Sequence, residues 1–157
     1  MNKLQKIGFG GGCHWCTEAV FQSLKGVHNV KQGWIASDGK NTTFSEAVML
    51  EFDAAIMPVE VLLEIHLLTH KSTSEHSMRK KYRSAIYYFD ADEVPLLNKH
   101  LADLKEDFEQ KLIVQILPFK EFKSSGDDFT DYYYKNPKKP FCSTFIDPKL
   151  KLIMNKF

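Results

Sequence analysis

The chain has 157 residues, 21 basic against 20 acidic for a formal net charge of +1, and 43% of its residues are hydrophobic. That length can bury its own core, so residues 1–157 are expected to form one domain. The balanced charge argues against a nucleic-acid or anionic-membrane partner. The N-terminus lacks the pattern of a signal peptide, and no apolar run approaches the roughly 18 residues of a membrane helix. Three cysteines are odd in number and too few for a disulfide scaffold, which points to reactive thiols in a cytoplasmic chain.

Leu4 to Phe9 reads as a short strand, and Thr17 to Leu24 as a helix. Between them stand Gly10-Gly11-Gly12 and then Cys13-His14-Trp15-Cys16, with Glu18 one turn into the helix. Glycines there permit positive φ and close backbone approach. A cysteine at a helix start meets unpartnered N–H groups and the positive end of the dipole. Both effects can pull its thiol below the free pKa of about 8.5.

Val27 to Ala36 is a second strand with Gly33 inside it, and Ser37-Asp38-Gly39-Lys40-Asn41 is a turn cluster. Thr43 to Phe52 follows, with Val48, Leu50 and Phe52 on one face and Met49 and Glu51 on the other, so a hairpin is expected. Pro58 can open a helix in which Val59, Leu62, Leu63, His66, Leu67 and His70 share a stripe. Lys71 to Lys81 reads as a loop and Arg83 to Phe89 as a strand. A helix starting near Asp92 or Glu93 carries Val94, Leu97, Leu101, Leu104 and Phe108 at spacings of three and four. Leu112 to Leu117 is a final strand; from Lys120 a short helix and an extended surface tail are expected. The order β-α-β-β-α-β, then α-β, predicts an α+β fold of the split βαβ, ferredoxin-like kind.

Cys13 and Cys16 form a C-x-x-C whose sulfurs can meet across one helical turn. The motif alone leaves redox chemistry, metal binding and two unrelated thiols open. Cys142, after Pro137 and Pro140 in the tail, favours redox chemistry, against a bland reading as a small buried hydrophobe. His66 and His70 have the i, i+4 spacing of two zinc ligands. Leu67 stands where a zinc protease carries its glutamate, however, and both histidines lie on the apolar stripe, so no metal is expected. Glu18 is either a solvated charge favouring the helix dipole or a buried acid that yields a proton during reaction. Tyr82 and Tyr132-Tyr133-Tyr134 can pack or donate to a developing oxyanion; Trp15 and Trp34 can wall a pocket or fill core.

Gly12-Cys13-His14-Trp15-Cys16-Thr17-Glu18 resembles the signature of the A-type peptide methionine sulfoxide reductases. Tyr82-Arg83-Ser84-Ala85-Ile86 is similar to that family's Tyr-Arg-Ser segment. Lys135-Asn136-Pro137, Cys142 and Ile146-Asp147-Pro148-Lys149 are similar to its C-terminal block, so the matches run in order over nearly the whole chain. The resemblance implies a ferredoxin-like two-layer α/β roll, here with an extra helix-strand and an extended C-terminal tail. It implies reduction of methionine S-sulfoxide, free or in oxidised proteins. Cys13 would be the nucleophile, Glu18 the proton donor and Tyr82 a hydrogen-bond donor to the sulfoxide oxygen. His14, Trp15 and Trp34 would line the substrate pocket. The sulfenic acid left on Cys13 would pass to a disulfide with Cys16 or Cys142, recycled by thioredoxin. No cofactor is implied, and a monomer is expected. His14 replaces the family's phenylalanine, Trp34 a tyrosine and Phe129 a histidine, and the 71–81 loop is shorter. Two other readings remain on the residues alone: a thioredoxin-like dithiol oxidoreductase using Cys13 and Cys16, and a zinc-holding module using both thiols with one or two histidines.

Overall fold

The computed structural model describes residues 4–11, 14–69, 83–106, 112–124 and 150–151, with backbone alone at 14–16 and 69. In chain order the elements are β1 (Gln5–Gly10), α1 (His14–Gln22), β2 (Val27–Ala36), β3 (Ser45–Phe52), α2 (Val59–Thr69), β4 (Ala85–Tyr88), α3 (Val94–Lys105), β5 (Gln115–Pro118) and β6 (Glu121–Ser124). Single 3₁₀ turns occupy Gly39–Asn41 and Ala91–Glu93. The fold is mixed α and β. Its six strands form one sheet in the order β5-β4-β1-β3-β2-β6. Neighbours are antiparallel except β4 and β5, which run parallel.

The sheet curls until its two edges nearly meet. β5 lies at one edge and β6 at the other, yet only Phe119 and Lys120 separate them in the chain. Two extended residues span at most about 7 Å. Those two residues bond to opposite sides: the Phe119 N–H donates to the Tyr88 carbonyl at 2.9 Å and the Lys120 N–H to the Ala36 carbonyl at 3.2 Å. The Ser37 hydroxyl adds a bond to the Pro118 carbonyl at 2.6 Å.

Residues directly opposite each other in a sheet share a face, and neighbours along a strand alternate. Phe9 stands opposite Val48 and Ile86, and Ile7 opposite Leu50 and Tyr88. This face meets the helices, burying Val20 and Phe21 of α1 and Leu62, Leu63, Ile65 and Leu67 of α2 in the main core. Phe9 stacks on Phe21 at 4.7 Å. The concave face holds a smaller cluster of Ile35, Ala47, Ala85 and Tyr87. A side chain at Gly8 would strike Ile35 and Tyr87, which explains why glycine takes that inward position of β1.

The expected hairpin is present: β2 and β3 pair antiparallel about the Gly39–Asn41 turn, with Gly39 at φ +59°. β2 has the expected bounds. α1 corrects the expected Thr17 start, beginning at His14 and ending at Gln22. Its last carbonyls then receive i+3 bonds from Ser23 and Leu24, and the chain turns at Gly26, φ +85°. No strand is expected beyond Lys120, yet residues 121–124 form β6; the rest of the stretch expected to hold a short helix lies outside the described residues. Glu121-Phe122-Lys123-Ser124 has one apolar residue, so periodicity gave no strand signal; pairing with β2 makes it one. The loop expected at 71–81, residue 108 of the third helix, and the tail from 125 to 149 lie outside the described residues.

Gly33 pairs with Ser124. A Cβ there would run into the Lys123 carbonyl, so β6 can lie as close as it does at this end of the pairing only because position 33 has no side chain. Gly33→Ala is therefore expected to lower stability by about 1–3 kcal/mol, read by urea unfolding, with amides of 121–124 losing hydrogen-exchange protection first.

Candidate active site

In the chain, the first site candidates fall between the end of β1 and the first turns of α1. β1 finishes at Gly10, Gly11 takes φ +144°, and α1 starts at His14. Only a glycine adopts that backbone conformation readily. Cys13 immediately precedes α1 in the chain and lies outside the described residues, as do Tyr82 and Cys142 and the side chains of His14, Trp15 and Cys16. The structure thus places Glu18, Trp34 and the backbone of the first turn of α1.

Glu18 has no exposed surface, which removes the solvated reading of its charge. It is one turn into α1, and this helix packs on the helix-facing side of β2 and β3. The Nε2 of Gln32, itself 1% exposed, donates to Glu18 Oε1 at 2.7 Å. A carboxyl group withdrawn from water favours its neutral form, while a donor aimed at one oxygen favours the anion. Burial and the Gln32 bond therefore act in opposite directions on its proton, and the Gln32 bond fixes the orientation of the carboxyl group.

Gln32 stands opposite Val48 and Trp34 opposite Glu46, so all four side chains occupy the helix-facing side. Trp34 is half-buried, with the Lys123 ammonium 6.0 Å from its ring centroid. Glu46, 5% exposed, is a second buried carboxyl beside it. Sequence reading missed Gln32 and gave Glu46 no role, because both are polar residues in strands expected to be half-solvated. The signal that could have found Glu46 is alternation, since it shares parity with Val48 and Leu50 on the buried side of β3; Gln32 joins that side only through the register of β2 on β3.

On the concave face Arg83 is 6% exposed. Its guanidinium donates to the Ile35 carbonyl at 3.1 Å, the Thr43 carbonyl at 3.2 Å and the Tyr87 hydroxyl at 3.1 Å. Its backbone N–H donates to the Ser45 hydroxyl at 2.7 Å. Burial pushes the Tyr87 phenol above its ordinary pKa, and the adjacent Arg83 charge partly offsets this, so the phenol stays neutral and accepts from Arg83.

His66, offered by its spacing as a metal ligand, is a core residue. It is buried with its ring 4.8 Å from Phe9 and 6.4 Å from Phe21. His70 lies outside the described residues. Among the described residues no cluster of three or more His, Cys, Asp or Glu could hold a metal, and no helix is long and apolar enough to cross a membrane.

A family model described as peptide methionine sulfoxide reductase matches residues 5–157. A relative from Psychrobacter cryohalolentis, described as peptide methionine sulfoxide reductase MsrA, is 33% identical over 168 residues, covering 98% of this chain and 96% of its own. Among solved structures, Mxr1 from Saccharomyces cerevisiae in reduced form aligns with a TM-score of 0.79 at 20% identity, covering 91% of each chain. The same yeast protein in complex with Trx2 aligns with a TM-score of 0.66 at 17% identity, covering 81% of this chain and 84% of the other.

Proposed function

The chain belongs to the peptide methionine sulfoxide reductase family, and from that premise we propose how its own residues carry the reaction. The protein is an oxidoreductase that returns methionine sulfoxide to methionine. In our reading residues 1–157 act as one domain and one monomer on the S epimer, free or in oxidised proteins, in the cytoplasm. The strand order β4-β1-β3-β2, with α1 and α2 between successive strands, supports the ferredoxin-like arrangement.

Sulfoxide sulfur is a good electrophile only while its oxygen is being protonated, so a thiolate and an acid must flank it. Cys13 supplies the thiolate, at the end of α1 where free N–H groups and the helix dipole favour negative charge. Glu18 gives its proton to the sulfoxide oxygen, and Tyr82 donates a hydrogen bond to the same oxygen. His14, Trp15 and Trp34 wall the pocket for the substrate's methyl group. Methionine leaves, reduced by two electrons, and Cys13 keeps the oxygen as a sulfenic acid, oxidised by two. Cys16 or Cys142 then attacks the Cys13 sulfur, forming a disulfide and releasing water. A thioredoxin dithiol reduces that disulfide, a partner supported by the fold relative solved with Trx2.

The observation that carries this reading is the fully buried Glu18 carboxyl oriented by Gln32, on the helix that Cys13 precedes. A second placement of the acid, on Glu46, is favoured by that carboxyl's burial and its pairing with Trp34.

The fully reduced protein, given one equivalent of methionine S-sulfoxide without reductant, is expected to release one methionine and form one disulfide. Peptide mapping should find Cys13 linked to Cys16 or Cys142, or Cys16 to Cys142 after a relay. Adding thioredoxin, its reductase and NADPH should turn the single event into continuous turnover. Three free thiols and no methionine would reject the reaction scheme.

A further inference from the structure

Arg83 is a buried cation for which the proposed mechanism has no use. Its side chain occupies the concave face of the sheet, and the pocket reading places substrate on the other face. The two faces are linked through the backbone. Along β2, Ile35 follows Trp34; in β3, Ser45 precedes Glu46. Arg83 holds both neighbours, through its guanidinium on the Ile35 carbonyl and its N–H on the Ser45 hydroxyl. The Thr43 carbonyl, just ahead of β3, is a third tether and the Tyr87 hydroxyl on β4 a fourth. Arg83 is also the residue that follows Tyr82 in the chain.

We propose that Arg83 is a positioning residue for sulfoxide reduction: from the concave face it fixes the ends of β2, β3 and β4 whose next residues, Trp34 and Glu46, face the pocket. The inference rests on the pocket reading given above. Side chains alternate along a strand, so a backbone pinned at Ile35 and Ser45 sets the height of Trp34 and Glu46 on the opposite face. The curled sheet makes this pinning necessary. These strand ends come together through tertiary folding, and Arg83, two residues ahead of β4, binds the Ile35 carbonyl on β2 and the Thr43 carbonyl just ahead of β3. A planar guanidinium offers several N–H groups in a fixed fork and can serve acceptors on different segments at once. An ammonium carries the same charge on one nitrogen and cannot reproduce that geometry. Displacement of a reacting assembly by about 1 Å can cost on the order of a hundredfold in rate.

The test is Arg83→Lys, assayed in single turnover at saturating methionine S-sulfoxide, at a temperature where circular dichroism shows the variant fully folded. Methionine release is expected to slow by about 10- to 100-fold. A saturated rate slowed less than about fivefold, with only the unfolding midpoint lowered, overturns the proposal and leaves Arg83 a stabilising residue. Should Arg83→Lys not fold, Ser45→Ala and Tyr87→Phe each remove a single tether. Each must then slow the saturated step by at least about threefold, or the proposal falls. Trp34→Ala and Tyr82→Phe separate this inference from its premise. If both react like the parent, the pocket itself is misplaced; if both are slow and Arg83→Lys is not, only the role of Arg83 fails.

Discussion

Cys13→Ser is expected to release no methionine from methionine sulfoxide, in single or multiple turnover, whatever reductant is supplied. A serine hydroxyl neither ionises near neutral pH nor accepts the sulfoxide oxygen in a reversible oxidised form, so the substitution removes both the nucleophile and the oxygen acceptor. The comparison that gives this result meaning is with the other two thiols. Cys16→Ser and Cys142→Ser should each still release one methionine per chain without reductant, because the first step uses neither sulfur. Whichever of them is the resolving thiol should then stop, with its sulfenic acid trappable by a 1,3-diketone and its thioredoxin-driven turnover lost. Quantifying methionine by chromatography after a single addition of substrate reads all three variants on one scale. Methionine release by Cys13→Ser would remove the assignment of the nucleophile and every role argued from it.

Glu18→Gln is expected to slow the first turnover by about a hundredfold to ten-thousandfold, the usual range for a lost general acid. The replacement is isosteric, and its amide oxygen can still accept the bond from Gln32, so the core around it should keep its packing. The pH profile supplies the sign. An acid must hold its proton to give it, so the parent rate should fall as pH rises through the pKa of the acid. In Glu18→Gln that descending limb should vanish along with most of the rate. Stopped-flow measurement of the first turnover between pH 6 and pH 10 reads both, with the range set about the ordinary titration of an activated thiol and a buried acid. A rate within about threefold of the parent, together with a large loss in Glu46→Gln, would move the proton donor from α1 to β3. That alternative is a specific one, because among the described residues Glu46 is the other buried carboxyl on the helix-facing side, opposite Trp34.

Much of the framework was legible because its signals are local. A strand-like run bounded by a turn cluster located β2 over Val27 to Ala36, and alternation over Val48 to Phe52 located the buried face of β3. Spacings of three and four gave α2 and α3, and the turn cluster after Ala36 gave the hairpin. The identity of the chemistry was legible for a related reason. Gly12-Cys13-His14-Trp15-Cys16-Thr17-Glu18, Tyr82-Arg83-Ser84 and the block around Cys142 resemble one family's motifs in that family's order, and such a resemblance is carried by the linear sequence itself. Boundaries fared worse where helix caps decide them: α1 starts at His14, three residues before Thr17.

The chain's order alone determined which side chains could react and in what general scaffold. Tertiary structure decided the surroundings of those side chains. Gln32 reaches Glu18 across fourteen residues, Arg83 reaches Ile35 across forty-eight, and β6 becomes a strand because β2 lies beside it with glycine at position 33. None of these depends on local propensity. Each is a long-range partnership that exists only once the chain has folded, and it keeps polar groups partnered as they are removed from water. A linear pattern records which residues alternate; it does not record which polar groups will be removed from water together.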